Sequence, residues 1–294
     1  MSTQLLISVV IVNWNVADSL VRCLNSVFAA DYPNLEVIVI DNASQDTSVK
    51  LVKTRFPKAK LIINSKNLGF PKAVNQGLAA AKGDYLLVTN PDVKLPENFF
   101  NQALSFAKSH PLLGILGPKF LDPDGTPQGS VFPEPSVVNT FREYWLGQTG
   151  LTQKYTPQTS VPLPVNAVSG ACMFLPKSTI TRIGKFTECI FMYYEDLDYC
   201  RRVRAASLEV IFHPGITVIH EHGRSTEKSN QEKYRNFVES VIYPFRKLVK
   251  NPNQAQSVER FRTESGIWYN GWLKNTLITG TIWTSQKWRA IFHR

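Results

Sequence analysis

Apolar residues in the first third of the chain come in short continuous runs, each closed by polar residues and followed by apolar positions at helical spacing. Ile7 to Val12 ends in Asn13-Trp14-Asn15, and Asp18 to Phe28 then carries apolar residues three or four apart. This predicts a strand, a loop at its carboxyl end, and a helix. Leu35 to Ile40 repeats the unit, with Asp41-Asn42-Ala43-Ser44-Gln45-Asp46 as the loop and Thr47 to Phe56 as the helix. Leu61 to Ile63 is a third strand, and Asn64 to Phe70 leads into a helix from Pro71 to Ala81, with Pro where a missing N–H costs nothing. Tyr85 to Val88 reads as a fourth, internal strand, preceded by Gly83 and closed by Asn90-Pro91. Pro91 has no N–H for a ladder, so Asp92 is expected just past the strand end, outside the core.

Three strand–loop–helix units and a fourth strand predict a Rossmann-like α/β fold: a mainly parallel sheet with right-handed crossovers and helices on both faces. The loops after all four strands then open on one edge, where such sheets bind ligands. A carboxylate there, Asp92, can hold a divalent cation, which can hold a diphosphate. Read alone, Asn90-Pro91-Asp92 is only a turn signal, and a single Asp before a helix is usually a cap. However, Asp46 stands closer to the second helix than Asp41 does. That leaves Asp41 free to accept hydrogen bonds from a base or ribose. The first loop lacks a Gly-x-Gly-x-x-Gly phosphate signature, which argues against a nicotinamide or flavin protein.

From Asp122 to Pro164 the pattern dissolves, with proline at 123, 127, 133, 135, 157, 162 and 164. Loops of this length are usually functional or mobile. Val168 to Leu175 reads as a strand with Gly170-Ala171 inside it, where small side chains admit a ligand or a backbone. Phe191 to Arg202 is a helix start rich in charge. Asp198 can pair with Arg201 or Arg202 one turn on, whereas Glu195 and Asp196 stand before the first turn with no such local partner. Leu208 to Phe212 and Ile216 to Ile219 are expected as two short strands, the second delivering His220 at its end.

Composition narrows the class. With 294 residues and 43% hydrophobic content, the chain is long enough for a globular α/β core. Cys23, Cys172, Cys189 and Cys200 lie far apart, with no zinc-type spacing, as expected of thiols in a reducing compartment. The N-terminus lacks a signal-peptide pattern and no apolar run is long enough to span a bilayer, so a cytoplasmic protein is expected. Charge is concentrated at the end. Residues 224–294 hold 13 Lys/Arg against 5 Glu, together with Trp268, Trp272, Trp283 and Trp288. Ser229 to Lys250 has helical apolar spacing, and Ile267 to Phe292 alternates Trp, Leu, Ile and Phe with bases. Such a surface suits peripheral binding to an anionic membrane on its cytoplasmic side. Packing on the core, a dimer interface or a solvated helical face would use the same residues; nucleic acid is the rival partner of any basic patch, but none is expected here.

Seven short pieces, in order, resemble the family 2 glycosyltransferases, in particular the rhamnosyltransferase-like branch with a GT-A fold. They are Val10 to Asn15, Ile40 to Ser44, Asn67 to Phe70 with Asn75, Asn90 to Asp92, Ser169 to Ala171, Tyr194 to Asp198 and His220 to Ser225. The resemblance implies a catalytic domain over 1–225, a basic extension over 226–294, and inverting transfer of a sugar from a nucleotide sugar (dTDP-rhamnose or a UDP-sugar) to a hydroxyl of a glycan or lipid-linked sugar. It implies that Asp41 binds the base, Asp92 the metal, and that Asp196 is the catalytic base, with Glu195 second. Asn13, Asn15, Asn67, Gly69, Lys72, Asn75 and Asn90 would complete the donor side, and Gly170, Ala171 and Tyr194 the acceptor side. The cofactor would be Mg²⁺ or Mn²⁺, and His220 as a second ligand tilts the choice toward Mn²⁺. The chain departs from the family in two places. Asn90-Pro91-Asp92 offers one carboxylate where many members offer two, and Pro71-Lys72 stands where small residues are common. Lys72 can meet a donor phosphate. A nucleotide-sugar-binding protein without transfer activity would share these residues. A nucleotidyltransferase would use a similar sheet, but with a Gly-rich basic first loop that Asn13-Trp14-Asn15 does not provide.

Overall fold

The computed structural model describes residues 4–133, 148 and 153–221. The three strand–helix units and the fourth strand form as the apolar runs predict: β1 (Ile7–Asn13), α1 (Ala17–Phe28), β2 (Leu35–Asp41), α2 (Ser48–Arg55), β3 (Lys60–Ile63), α3 (Phe70–Ala80) and β4 (Tyr85–Thr89). β1 lies between β2 and β4, parallel to both, and β3 adds in parallel outside β2. The order β3-β2-β1-β4 means that the chain winds outward one way and then back past β1. The crevice between β1 and β4 is therefore a topological switch point, with Asn13 on one lip and Asn90 to Asp92 on the other.

Alternation along β1 explains the two layers of helices. Ile7, Val9 and Ile11 pack in one buried cluster with Leu20, Leu24 and Val52 from α1 and α2, while Val10 and Val12 join Ala73, Val74 and Leu78 from α3 on the opposite face. Gly77 lets α3 settle onto the sheet, because a Cβ there would lie 2.3 Å from Val10 Cγ1.

Beyond β4 the sheet turns mixed. β5 (Val93–Lys94), α4 (Phe99–Ser109), β6 (Leu113–Leu121), β7 (Pro127–Gln128), β8 (Val131–Phe132), β9 (Leu163–Pro164), β10 (Ala167–Val168), β11 (Cys172–Pro176), α5 (Lys177–Ile183), α6 (Glu195–Ala205) and β12 (Glu209–His220) follow. The main sheet continues from β4 to β11, β6, β12 and β5, with β11 antiparallel to β4 and β12 parallel to β6.

Four sequence expectations are corrected. The strand expected over Val168 to Leu175 is broken into β10 and β11, so Gly170-Ala171 sits in the turn between them. The two strands expected over 208–219 are one. Pro214 and Gly215 lie in a bulge where the register against β6 jumps from His213↔Pro118 to Thr217↔Lys119. Glu195 and Asp196 lie inside the first turn of α6 rather than before it. Asp92 is buried, at 5% exposure, because β5 and the end of β12 close over it. The basic, Trp-rich extension lies outside the described residues. No helix among the described residues is long and apolar enough to cross a membrane.

Candidate active site

On the β1 to β3 side, the strand ends are tied to one another. Asn13 Nδ2 donates to Asp41 Oδ1 at 2.9 Å and to Ser44 Oγ at 3.0 Å, and Ser44 N–H donates to Asp41 Oδ2 at 2.8 Å. Asp41 is therefore not free, as the sequence suggested, but holds Asn13 and its own loop. Asn15, at φ 54, donates its N–H to Ser44 Oγ and accepts from Gln45 N–H. Asp46 is not the N-cap, a position that Thr47 holds, but it accepts the Ser48 N–H at the first residue of α2 and the Ala17 N–H at the start of α1. One polar atom is left over: Asn13 Oδ1 is buried without a hydrogen bond.

This network extends to the loop before α3. Asn42 donates to Asn67 Oδ1 and Gly69 O, and Asn67 Oδ1 also accepts Gly69 N–H. Gly69, at φ 84, has no room for a Cβ, which would lie 2.4 Å from Phe191 O. Asn75 is fully engaged by a second segment, donating to Phe186 O and Glu188 Oε1 and accepting Phe186 N–H. It positions the approach to α6 rather than offering its amide to a ligand. Lys72 lies exposed in the first turn of α3.

Tyr193 and Tyr194, both left-handed at φ 69 and 67, swing the chain into α6. Consecutive non-glycine residues in this region are strained, a feature that clusters at functional sites. Tyr194 is 42% exposed, and the next two residues, Glu195 and Asp196, are each 7% exposed. Asp196 Oδ2 accepts the Gly170 N–H at 3.0 Å and Oδ1 accepts the Leu197 N–H at 2.9 Å. Glu195 Oε2 is buried and accepts nothing. Asp198 pairs with Arg202, as expected.

Burial raises both acids. Glu195 is pushed up to about 8, by desolvation first and by the charge of Asp196 second. Asp196 is raised by burial against the opposing pull of Lys154 and of the Gly170 and Leu197 N–H groups. The N–H groups of Gly170 and Leu197 favour the ionised form of Asp196, whereas Glu195 Oε2 receives no such donor.

Asp92 faces His220. The two side chains are 3% and 5% exposed, with His220 Nε2 3.5 Å from Asp92 Oδ1. That separation is too long for a good hydrogen bond, and Asp92 Oδ1 has no hydrogen-bond partner. Two donors bound about 2.1 Å from one ion lie within about 4.2 Å of each other, so the pair fits a shared divalent cation. No group of three or more His, Cys, Asp or Glu side chains among the described residues forms a metal cluster. A cation here would take its remaining ligands from a diphosphate and water.

The turn 169–171 joins the two acidic centres. Ala171 O accepts the Asn90 N–H at 2.9 Å, next to Asp92, while the Gly170 N–H binds Asp196. Sequence reasoning missed Lys154. Its Nζ donates to Ser169 Oγ at 3.0 Å, lies 4.9 Å from the Phe132 ring centre, and feels Asp196, Glu195 and Asp92. Desolvation lowers its pKa in spite of those three charges. The only advance sign was its position in a long proline-rich loop, the kind that carries function.

Residues 8–167, more than half of the chain, match the profile described as glycosyl transferase family 2. The chain belongs to that family. The transferase is 30% identical over 235 residues to an N-acetylglucosaminyl-diphospho-decaprenol L-rhamnosyltransferase of Mycobacterium tuberculosis, covering 74% of this chain and 76% of the relative. It is 22% identical over 275 residues to the low-salt glycan biosynthesis hexosyltransferase Agl10 of Haloferax volcanii, covering 91% and 83%. Two solved structures share the GT-A fold. The mannosyltransferase PcManGT of Pyrobaculum calidifontis, in complex with GDP-Man and Mn²⁺, has a TM-score of 0.57 at 17% identity, over 85% of this chain and 66% of that one. Staphylococcus aureus TarS 1–349, in complex with UDP-GlcNAc, has a TM-score of 0.52 at 19% identity, over 78% and 63%. The chain thus spans about two thirds of these two structures or slightly less.

Proposed function

We propose that the transferase moves a sugar from a nucleotide sugar, dTDP-rhamnose or a UDP-sugar, to a hydroxyl of a glycan or lipid-linked sugar, with inversion at the anomeric carbon. The observation that carries this reading is the turn 169–171, which tethers Asp196 on one side and the Asn90 to Asp92 loop on the other. An acid ready to take a proton thus stands across from one suited to the leaving group. Asp196 accepts the proton of the attacking hydroxyl as the new glycosidic bond forms and the bond to the diphosphate breaks. Glu195, neutral beside it, keeps a second negative charge away. Asp92 and His220 would hold Mg²⁺ or Mn²⁺, and an ion bound there supplies positive charge against the departing diphosphate. Lys154 adds a fixed cation to the same space. Asn13 Oδ1, buried without a partner, suits a nucleobase N–H, with Asp41 fixing the Asn13 amide and Lys72 within reach of a donor phosphate. Gly170, Ala171 and the exposed Tyr194 line the acceptor side.

The name of the mycobacterial relative includes a lipid-linked sugar diphosphate. The basic, Trp-rich extension suits the cytoplasmic face of a membrane carrying such an acceptor. Thermal-shift screening of UDP-, dTDP- and GDP-sugars with Mn²⁺ tests the donor, because a ligand that binds only the native state raises its stability by mass action. Transfer to a polyprenyl-diphosphate-linked sugar, with the product linkage read by NMR, tests the reaction. We expect one nucleotide series to stabilise the protein and the linkage to be inverted. Stabilisation without transfer or donor hydrolysis would instead make this a binding protein.

A further inference from the structure

Gln128 has no part in the function described so far, yet its amide is fully committed around His220. Gln128 Nε2 donates to Asp122 Oδ1 at 2.6 Å and to the His220 carbonyl at 3.2 Å. Both partners only accept, so the amide can face just one way, with Oε1 toward the imidazole. Gln128 Oε1 lies 2.5 Å from His220 Nδ1. An amide oxygen cannot donate, so Nδ1 must carry the proton. In the neutral ring, the lone pair is then on Nε2, the nitrogen that faces Asp92 Oδ1.

We propose that Gln128 is a positioning residue that fixes His220 in its Nδ1–H tautomer and aims Nε2, with Asp92, at a divalent cation shared with the donor diphosphate. This rests on the reading of Asp92 and His220 as a cation site. The supports are local and rigid. Gln128 pairs with Phe120 on β6, Asp122 closes the same hairpin, and Phe120 packs its ring against His220 with centroids 5.1 Å apart. On the other side of His220, the Glu221 N–H donates to Asp92 O, and Arg22 grips the Glu221 carboxylate through Nε and an NH₂ group. The His220 backbone is therefore clamped from both sides, and the Gln128 amide oxygen, which can only accept, requires the proton on Nδ1. Partners of this kind typically contribute 10–100-fold to metal affinity.

The test uses the full chain and two readouts besides activity. The first is Mn²⁺ binding in the presence of UDP or dTDP, followed by the electron paramagnetic resonance of free Mn²⁺. The second is the long-range ¹H–¹⁵N spectrum of ¹⁵N-histidine-labelled protein without metal, with the His220 signal assigned by its absence in H220N. We expect wild type to show the Nδ1–H pattern, and Q128A to lose it and to bind Mn²⁺ 10–100-fold more weakly. Q128E keeps the acceptor but sets a carboxylate against Asp122, whereas Q128E/D122N restores a donor to that pair. The double variant should therefore recover both the tautomer and most of the affinity, which separates positioning from misfolding. An Nε2–H pattern in wild type, or undiminished Mn²⁺ affinity in Q128A, would overturn the proposal. Wild-type protein that shows the Nδ1–H pattern but ignores Mn²⁺ would overturn the cation-site reading and leave Gln128 as a tautomer lock only.

Discussion

Asp41 and Asp92 end neighbouring parts of one sheet edge and are both buried, yet their surroundings are opposite. Each oxygen of Asp41 accepts a hydrogen bond, from Asn13 and from Ser44, whereas Asp92 Oδ1 accepts none. Glu195 sides with Asp92, with Oε2 buried and unpartnered. A buried polar atom without a partner costs about 1–3 kcal/mol, more if charged, so native folds keep few of them. The side of the crevice formed by β1 to β3 is thus mostly satisfied from within, with Asn13 Oδ1 and Ser48 Oγ left without partners. The far side keeps unmet acceptors where a ligand or a proton is to arrive.

Substituting the two aspartates should break this symmetry most sharply. Asp92→Ala should weaken nucleoside-diphosphate binding in Mn²⁺ by about 10²-fold or more, since a lost ligand should cost at least as much as a lost supporting contact. Its melting temperature should stay level or rise, because an unpaired acceptor has been removed. Calorimetric titration with and without Mn²⁺, alongside a melt, checks both halves; unchanged metal dependence would remove Asp92 from the site. Asp41→Ala should do the reverse to stability. It removes one of the two acceptors of the Asn13 amide and leaves the Ser44 N–H without its side-chain partner, for roughly 1–3 kcal/mol each, or several degrees in a protein of this size. A melt unchanged from wild type would show that Asp41 does not hold the cradle.

A smaller effect sharpens the comparison on the acid side. The folded pKa of Glu195, about 8, stands above its ordinary value of 4.5. Stability from keeping it neutral is therefore full below about pH 4.5 and is lost as pH rises through about 8. Glu195→Gln, which cannot ionise, should flatten that decline. It should also remove any fall in transfer above pH 8, while changing the rate at pH 7 only a few-fold. Parallel denaturation and rate profiles from pH 5 to 9 that overlay those of wild type would refute the assignment.

Legibility in the sequence followed contact range. The β1 to β4 half could be read because each unit is local, and a carboxylate such as Asp92 betrays its place by standing after a strand and a proline. His220 and Asp196 were legible as chemistry but not as geometry. The family resemblance placed residues 92 and 220 on one metal, but no local pattern pairs them, and nothing in the sequence pairs residue 170 with residue 196. Pro214-Gly215 reads as a strand break, yet a bulge carries β12 straight through it. Gly170-Ala171 reads as the middle of a strand, yet it is the turn that connects the two acidic centres. Asn75 was expected on the donor side from the family resemblance, and only its three hydrogen bonds to the 186–188 segment reveal a clamp. Lys154 and Gln128 come from a stretch with no periodicity, so no local pattern could reveal their partners.

In the proposed reaction Asp196 removes the acceptor proton without holding the donor. Donor affinity and turnover measured side by side in Asp196→Asn probe this step, because the amide keeps an oxygen for the Gly170 N–H yet cannot serve as the base. We expect a nucleotide-sugar Kd within about threefold of wild type, with transfer reduced by about 10²-fold or more. Turnover near that of wild type, with the same Kd, would contradict it.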